Sequence, residues 1–193
     1  ASILETLNSR DYTTREKPSL SKTPIPQWNL VDMKKYALMG IQYSRGCPFN
    51  CSFCTIINVQ GRKMRNRLAA RIKERIRENS KLKIDYYFFT DDNFSRNPVW
   101  EEILDGLIEM RARGLDIIFM MQIDTLAHRI PNFAEKASKA GCYLAFVGME
   151  SVNPKNLEAV GKRQNKVDDY ASMVETWHTN NVLVHVGYII GFP

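Results

Sequence analysis

Cysteine is scarce in this sequence, with four in 193 residues, and three of those crowd into eight positions. That excludes the disulfide framework of a small secreted domain. No stretch approaches the roughly 18 apolar residues that a membrane span needs. The first twenty positions are polar and show no signal peptide. Internal repeats and low-complexity tracts are absent, and the composition fits neither a collagen-like rod nor a disordered tail. What remains is globular: 44% hydrophobic and 25% charged, with three Trp, eight Tyr and nine Phe. That is ample to bury a core. The chain opens with Ala1 rather than Met and stops at Pro193 just after an apolar run. The expectation is a piece of something longer, or a chain with segments missing.

The formal net charge of +6 is uneven. Ten of the 27 Lys and Arg residues lie between Arg62 and Lys83, against two Glu (Glu74 and Glu78), and the rest of the chain is close to neutral. Any nucleic-acid or phosphate function would rest on that one segment. It contains no aromatic residue on which a base could stack. With Leu68, Ile72 and Ile76 forming a buried stripe, the cations from Lys73 to Lys83 read as a solvated face. Gly61 to Arg65 directly follows the cysteine cluster and is expected to face a substrate.

Residues 1–37 read as an approach segment without periodicity, in which Pro18, Pro24 and Pro26 disfavour regular structure. From residue 38 the pattern alternates. Strands are expected at Leu38–Tyr43, Ile84–Phe89, Ile117–Ile123, Tyr143–Met149 and Val182–Ile190. Helices carry the stripes Leu68/Ile72/Ile76, Trp100/Ile103/Leu104/Leu107/Ile108 and Tyr170/Met173/Val174/Trp177. Another lies between Pro131 and Gly141, and a short one is capped by Asn153-Pro154. Apolar strands alternating with helices make an α/β parallel sheet with right-handed crossovers, either an incomplete barrel or an open sheet.

Chemistry in such sheets collects at the carboxyl ends of the strands. Strand one leads into Cys47, Cys51 and Cys54. Strand two ends at Asp91-Asp92-Asn93, and strand three at Gln122 and Asp124. Strand four ends at Gly148-Met149-Glu150-Ser151, and strand five contains Gly187 and Gly191. One rim therefore holds one site. Cys47-x3-Cys51-x2-Cys54 offers three soft thiolates on a tight loop. These can hold three irons of a [4Fe–4S] cube with the fourth iron open, or zinc with a distant fourth ligand. Cys142 begins a strand at the opposite end and reads as a small core residue. His128, His178 and His185 are isolated.

The C-x3-C-x2-C loop, with Phe53 before its last cysteine and a strand before its first, resembles the radical S-adenosylmethionine (SAM) superfamily. The likeness spans about residues 38–193 and implies a partial (β/α)6 TIM-like barrel as the radical SAM core. In that family the open iron binds the amino and carboxylate groups of SAM. The reduced cluster then cleaves SAM to a 5′-deoxyadenosyl radical. The family's Gly-Gly-Glu position is occupied here by Asp91-Asp92-Asn93, a departure whose acidic character, with Phe94 following, is similar to the cobalamin-associated branch. Oxygens there can accept from the SAM ammonium; the same residues could simply cap a turn.

The resemblance further implies that Glu150, with Ser151, contacts the ribose diol, since a carboxylate accepts from both hydroxyls. Ser151 or Asn153 could equally cap the following helix. Gly187-x-Ile189-x-Gly191 matches the start of the family's adenine motif, in which glycine lets the backbone approach a purine. Lys162 or Arg163 resembles the contact to the methionine carboxylate. Tyr43 to Cys51, Gly61-Arg62-Lys63 and Phe89 to Phe94 are most similar to hopanoid-type methylases. Pro26 to Tyr36 resembles their linker from a cobalamin domain, whose own Asp-x-His-x-x-Gly signature is absent here.

The expectation is thus a cytoplasmic enzyme acting on a small-molecule or lipid substrate. An electron donor such as a flavodoxin or ferredoxin would serve it, nucleic acid is not expected as a partner, and cobalamin would belong to the parent protein. The rivals are an RNA-modifying radical enzyme similar to methylthiotransferases, and a zinc or iron–sulfur electron-transfer module.

Overall fold

The computed structural model describes residues 17–32 and 35–192. Residues 1–16 and 33–34, which belong to the expected approach segment, and Pro193 lie outside the described residues. Five strands form one parallel sheet: β1 (Met39–Ile41), β4 (Tyr86–Phe89), β5 (Ile118–Ile123), β6 (Cys142–Glu150) and β7 (Leu183–Tyr188), hydrogen-bonded in that order. A separate antiparallel ladder joins β2 (Ser44–Arg45) to β3 (Arg65–Asn66). The helices are α1 (Ile56–Val59), α2 (Ala69–Lys81), α3 (Trp100–Ala112), α4 (Phe133–Ala140), α5 (Pro154–Ala159) and α6 (Tyr170–Thr179).

Strand order in the large sheet follows chain order. A doubly wound sheet reverses direction at a switch point, whereas a barrel winds one way. The incomplete-barrel alternative therefore holds, with five strands of a partial (β/α)6 barrel among the described residues. The core is aromatic at its centre. Phe89 of β4 stacks on Phe119 of β5 at 4.0 Å, and Tyr43, Phe94 and Phe133 pack edge-on or tilted around them.

Local chemistry sets the helix ends. Asn97 accepts from the Val99 N–H ahead of α3, and Glu101 and Glu102 sit in its first turn, where the helix dipole favours negative charge. Asn153 caps α5 by accepting from the Lys155 N–H at 3.0 Å, as expected. Gly141 ends α4 in the left-handed conformation, against the Ile117 carbonyl, where no side chain fits.

One expectation needs correction. Leu68 is not part of the α2 stripe: its backbone is extended at the N-cap and the residue is 60% exposed. Ala69, Ile72, Ile76 and Asn79 are the buried positions. Ahead of the Lys73–Lys83 run, three arginines are bound to backbone carbonyls. Arg67, 4% exposed, donates to the carbonyls of Gln42, Thr23 and Pro24 at 3.0, 2.5 and 3.1 Å. Arg65 reaches Pro18 O at 2.7 Å, and Arg71 reaches Ser21 O at 2.8 Å. Three guanidinium forks thereby tie residues 18–24, which lack a ladder of their own, to β1, β3 and α2.

Candidate cofactor site at the carboxyl edge of the sheet

The loop carrying Cys47, Cys51 and Cys54 leaves β2 through Gly46, whose φ of +103° is left-handed. A Cβ there would lie 2.6 Å from Lys63 O, so only glycine makes this turn. The Gly46 N–H donates to Asp92 Oδ2 at 2.6 Å, and the Cys47 N–H to Gly61 O at 3.2 Å. The far side of the loop rests on the turn after α5. There Ser52 N–H donates to Val160 O at 2.9 Å, and Gly161, at φ +69°, approaches Asn50 O where a Cβ would sit 2.8 Å away. Clamping from the β4 end and from the turn after α5 fixes the loop over the sheet edge.

Beneath it lies a cavity of about 220 Å³ lined by all three thiols together with Phe53, Asp92, Asn93, Glu150 and Lys162. Gln122, Asp124, Phe146 and Gln164 complete its polar and aromatic wall. All four cysteines are free thiols. Among the described residues no three Cys, His, Asp or Glu side chains converge as a single metal-ion set; the three thiols line a common volume. A cuboidal cluster takes one thiolate per iron, so this donor set fits it. Burial first, then the neighbouring Cys51 and Cys54, push the Cys47 thiol up, opposed by hydrogen bonds from the Phe49 backbone and Asn93. Iron would relieve that cost by binding the deprotonated sulfur. Cys142, raised to about 12 by burial, donates to Leu144 O at the opposite end of β6 and is a core residue as expected.

The strand-end acids have separate tasks. Glu150 follows a register shift in the β6–β7 pairing and has a left-handed backbone, φ +62°, so the bulge re-aims its carboxylate. It meets Lys162 Nζ at 2.8 Å, and Lys162 also stands 5.6 Å above the Phe53 ring. Asp92 keeps one cavity-facing edge; burial raises its carboxyl, offset by the Gly46 N–H and by Arg45 and Arg65. Asp124 is held low despite burial by a two-toothed bond to Arg96, 2.6 Å on each oxygen, with further donors in Asn93 and Leu126. Arg96 in turn covers the Phe49 ring within the cysteine loop at 5.4 Å. Asn93 joins the two halves, donating to Asp124 at 2.9 Å and lying 3.9 Å from Cys47 Sγ.

Not every expected contact reaches the cavity. Asp91 is fully buried, and its oxygens accept from Tyr43 N–H, Ser44 N–H and the Ser44 hydroxyl at 3.0, 2.6 and 2.5 Å. Its carboxylate braces the entry to β2 and does not face the cavity, contrary to the expected cofactor role. Ser151 Oγ accepts from the Asn153 N–H in the turn ahead of α5, while Asn153 itself caps the helix. Gly187 stands beside the cavity wall: a Cβ there would touch Phe146 at 3.3 Å and come 3.8 Å from Glu150 Oε2. Ile189 follows β7 and binds back by its N–H to Glu150 O, and Gly191 lies beyond with φ +90°. Of the basic pair, Lys162 faces the cavity and Arg163 is exposed. Gly61 to Arg65 does not line the thiol cavity; Arg62 donates to Pro48 O, and Gly61, Arg62, Lys63 and Arg65 line a separate cavity of about 560 Å³. His185 is exposed beside Phe146, 5.3 Å between rings.

A one-way parallel half-barrel with a three-thiol loop and an acid–base pair at its carboxyl rim defines a cofactor-dependent enzyme core. The chain belongs to the radical SAM superfamily, whose family model matches residues 41–193. Members of that superfamily use a [4Fe–4S] cluster and SAM. The chain is similar to bacteriochlorophyllide d C-12(1)-methyltransferase of Chlorobaculum tepidum, 30% identical over 99% of this chain and 41% of the relative. It is also 30% identical to the hopanoid C-2 methylase of Rhodopseudomonas palustris, over 93% of this chain and 35% of that protein. The chain therefore spans about two fifths or less of these relatives. Its fold matches the radical SAM methyltransferase TsrM from Kitasatospora setae, solved with cobalamin and a [4Fe–4S] cluster, with a TM-score of 0.70 and 20% identity. That match covers 81% of this chain and 31% of TsrM.

Proposed function

We propose that residues 38–193 form the SAM-binding core of a radical methyltransferase that works with cobalamin on a small-molecule or lipid substrate. One observation carries the reading: the three thiols of the loop and the Glu150–Lys162 pair line the same cavity. A [4Fe–4S] cluster bound there supplies the single electron that cleaves SAM reductively.

The chain's own residues do the holding. Cys47, Cys51 and Cys54 ligate the cluster. Lys162 releases Glu150 to take the methionine carboxylate of SAM, and Glu150 accepts from the two ribose hydroxyls. Asp92 and Asn93 accept from the ammonium. Gly187, without a Cβ, lets the adenine lie against Phe146 and the strand backbone. Phe49, Phe53 and Phe146 keep water from the reacting centre.

Residues 1–37 serve as the approach from a preceding cobalamin domain, and a flavodoxin or ferredoxin in the cytoplasm delivers the electron. No helix among the described residues is long and apolar enough to cross a membrane. The names of the curated relatives support methyl transfer to ring systems and hopanoids rather than to RNA.

The test uses the full-length protein, reconstituted anaerobically with iron, sulfide and cobalamin, reduced, and supplied with methyl-labelled SAM and separate lipid, small-molecule and RNA fractions of the source cell. Label in the lipid or small-molecule fraction supports the reading. Label in RNA would favour the RNA-modifying rival, and uptake of zinc without iron would overturn both.

A further inference from the structure

The cysteine loop receives unequal support at its sulfurs. Gln164 Nε2 lies 3.4 Å from Cys51 Sγ, and Cys51 is only 7% exposed. Asn93 is the second amide near a thiol, at the longer distance of 3.9 Å from Cys47 Sγ and already committed to Asp124. Cys54 has no side-chain donor among the described residues.

The backbone under Gln164 is unusually well held. Asn165 donates to Gly148 O and Met149 O at 3.0 and 2.8 Å, and its oxygen accepts from Thr125 at 3.0 Å. Lys162 N–H closes the turn on Leu157 O at 2.8 Å, and Gly161 seats that turn against Asn50 of the loop. The backbone that carries Gln164 is therefore anchored beside the cysteine loop, with the amide within reach of the sulfur.

An iron-bound thiolate carries no proton, so only the N–H face of the amide is attractive to it. Such a hydrogen bond stabilises negative charge on sulfur, and the reduced cluster holds one more electron than the oxidised one. Hydrogen bonds to cluster sulfurs therefore raise the reduction potential. We propose that Gln164 is a positioning residue that sets the reduction potential of the cluster through its hydrogen bond to Cys51. This rests on the cluster reading given above. Its consequence is that the electron donor faces a smaller uphill step than an unsupported Cys51 would impose.

Two variants of the full-length protein test it, Gln164→Met and Gln164→Glu. Gln164→Met keeps the length and removes the donor; Gln164→Glu keeps the shape and places an acceptor against the sulfur. Each is reconstituted anaerobically, assayed for iron, and titrated with dithionite while the reduced-cluster EPR signal is followed. The expected result is wild-type iron content with a more negative midpoint in Gln164→Met and a still more negative one in Gln164→Glu. Loaded variants whose midpoints match the wild type would overturn the proposal, as would lowered iron content with no change in midpoint. Wild-type protein that takes up no iron would instead overturn the cluster reading, so the two failures are distinguishable.

Discussion

Lys162 Nζ and Glu150 Oε1 stand 2.8 Å apart in a cavity wall where their side chains are only 10% and 13% exposed. Each neutralises a charge that the fold has otherwise taken from water. The pair closes at the rim directly beside Gly148, where a Cβ would come 2.9 Å from Lys162 Nζ and 2.5 Å from Glu150 Oε1.

Removing one partner exposes that dependence. Lys162→Met is expected to lower stability by about 3 kcal/mol, the range for stranding a buried charge. SAM binding should weaken by roughly tenfold or more, as one charged hydrogen bond is lost. Denaturant titration and calorimetric SAM binding on the reconstituted protein check both. Unchanged affinity would remove Lys162 from the SAM site.

Asp91 makes a pH prediction. Burial pushes its carboxyl up to about 7, against the lowering effect of three donors from Tyr43 and Ser44. A folded pKa above the unfolded one means the native state holds the proton longer. The stabilisation is full below about pH 4 and is lost as pH rises through about 7. The stability gap between wild type and Asp91→Asn should shrink in that direction, by up to about 3 kcal/mol between pH 5 and 8. Denaturation of the apo-protein at the two pH values measures it; a gap that widens with pH contradicts the sign.

Gly161→Ala tests the seat of the loop. The left-handed φ of +69° and the 2.8 Å approach to Asn50 O both oppose a side chain. The cost should be about 1–2 kcal/mol of stability. Faster release of iron to a chelator should accompany it.

Arg67→Met would leave the carbonyls of Gln42, Thr23 and Pro24 without their donor. A loss of about 2–3 kcal/mol is expected, with hydrogen exchange rising first across Leu20–Ile25. Arg67→Lys should not restore protection, because a point charge cannot span three acceptors.

The motifs legible in the sequence were those set by short spacing. The cysteine triplet, the rim position of the strand-end residues and the alternation that makes the parallel sheet all follow from local pattern. Two kinds of residue escaped it. Arg96, Gln164 and Asn165 act on partners far along the chain, such as Asp124, Cys51 and Gly148. Nothing in their neighbours marks them. The β2–β3 ladder is only two residues a side, too short for an alternation to register. Asp91 and Asp92 are adjacent yet point to opposite tasks, because consecutive side chains leaving a strand face opposite ways. The structural role of Arg65, Arg67 and Arg71 was not legible because their acceptors are backbone carbonyls of residues 18–24, which composition does not distinguish.

Under the proposed function, Cys47, Cys51 and Cys54 would hold a [4Fe–4S] cluster in the cavity they share with the Glu150–Lys162 pair. The most direct measurement compares the full-length protein with its triple variant, Cys47→Ala, Cys51→Ala and Cys54→Ala, both reconstituted anaerobically with iron and sulfide and reduced. EPR is recorded with and without SAM, and the nucleoside released is quantified. The expected result is a [4Fe–4S] signal that shifts when SAM is added, with 5′-deoxyadenosine formed, and neither in the triple variant. Iron bound equally well by the triple variant, or zinc as the only metal taken up by the wild type, would contradict it.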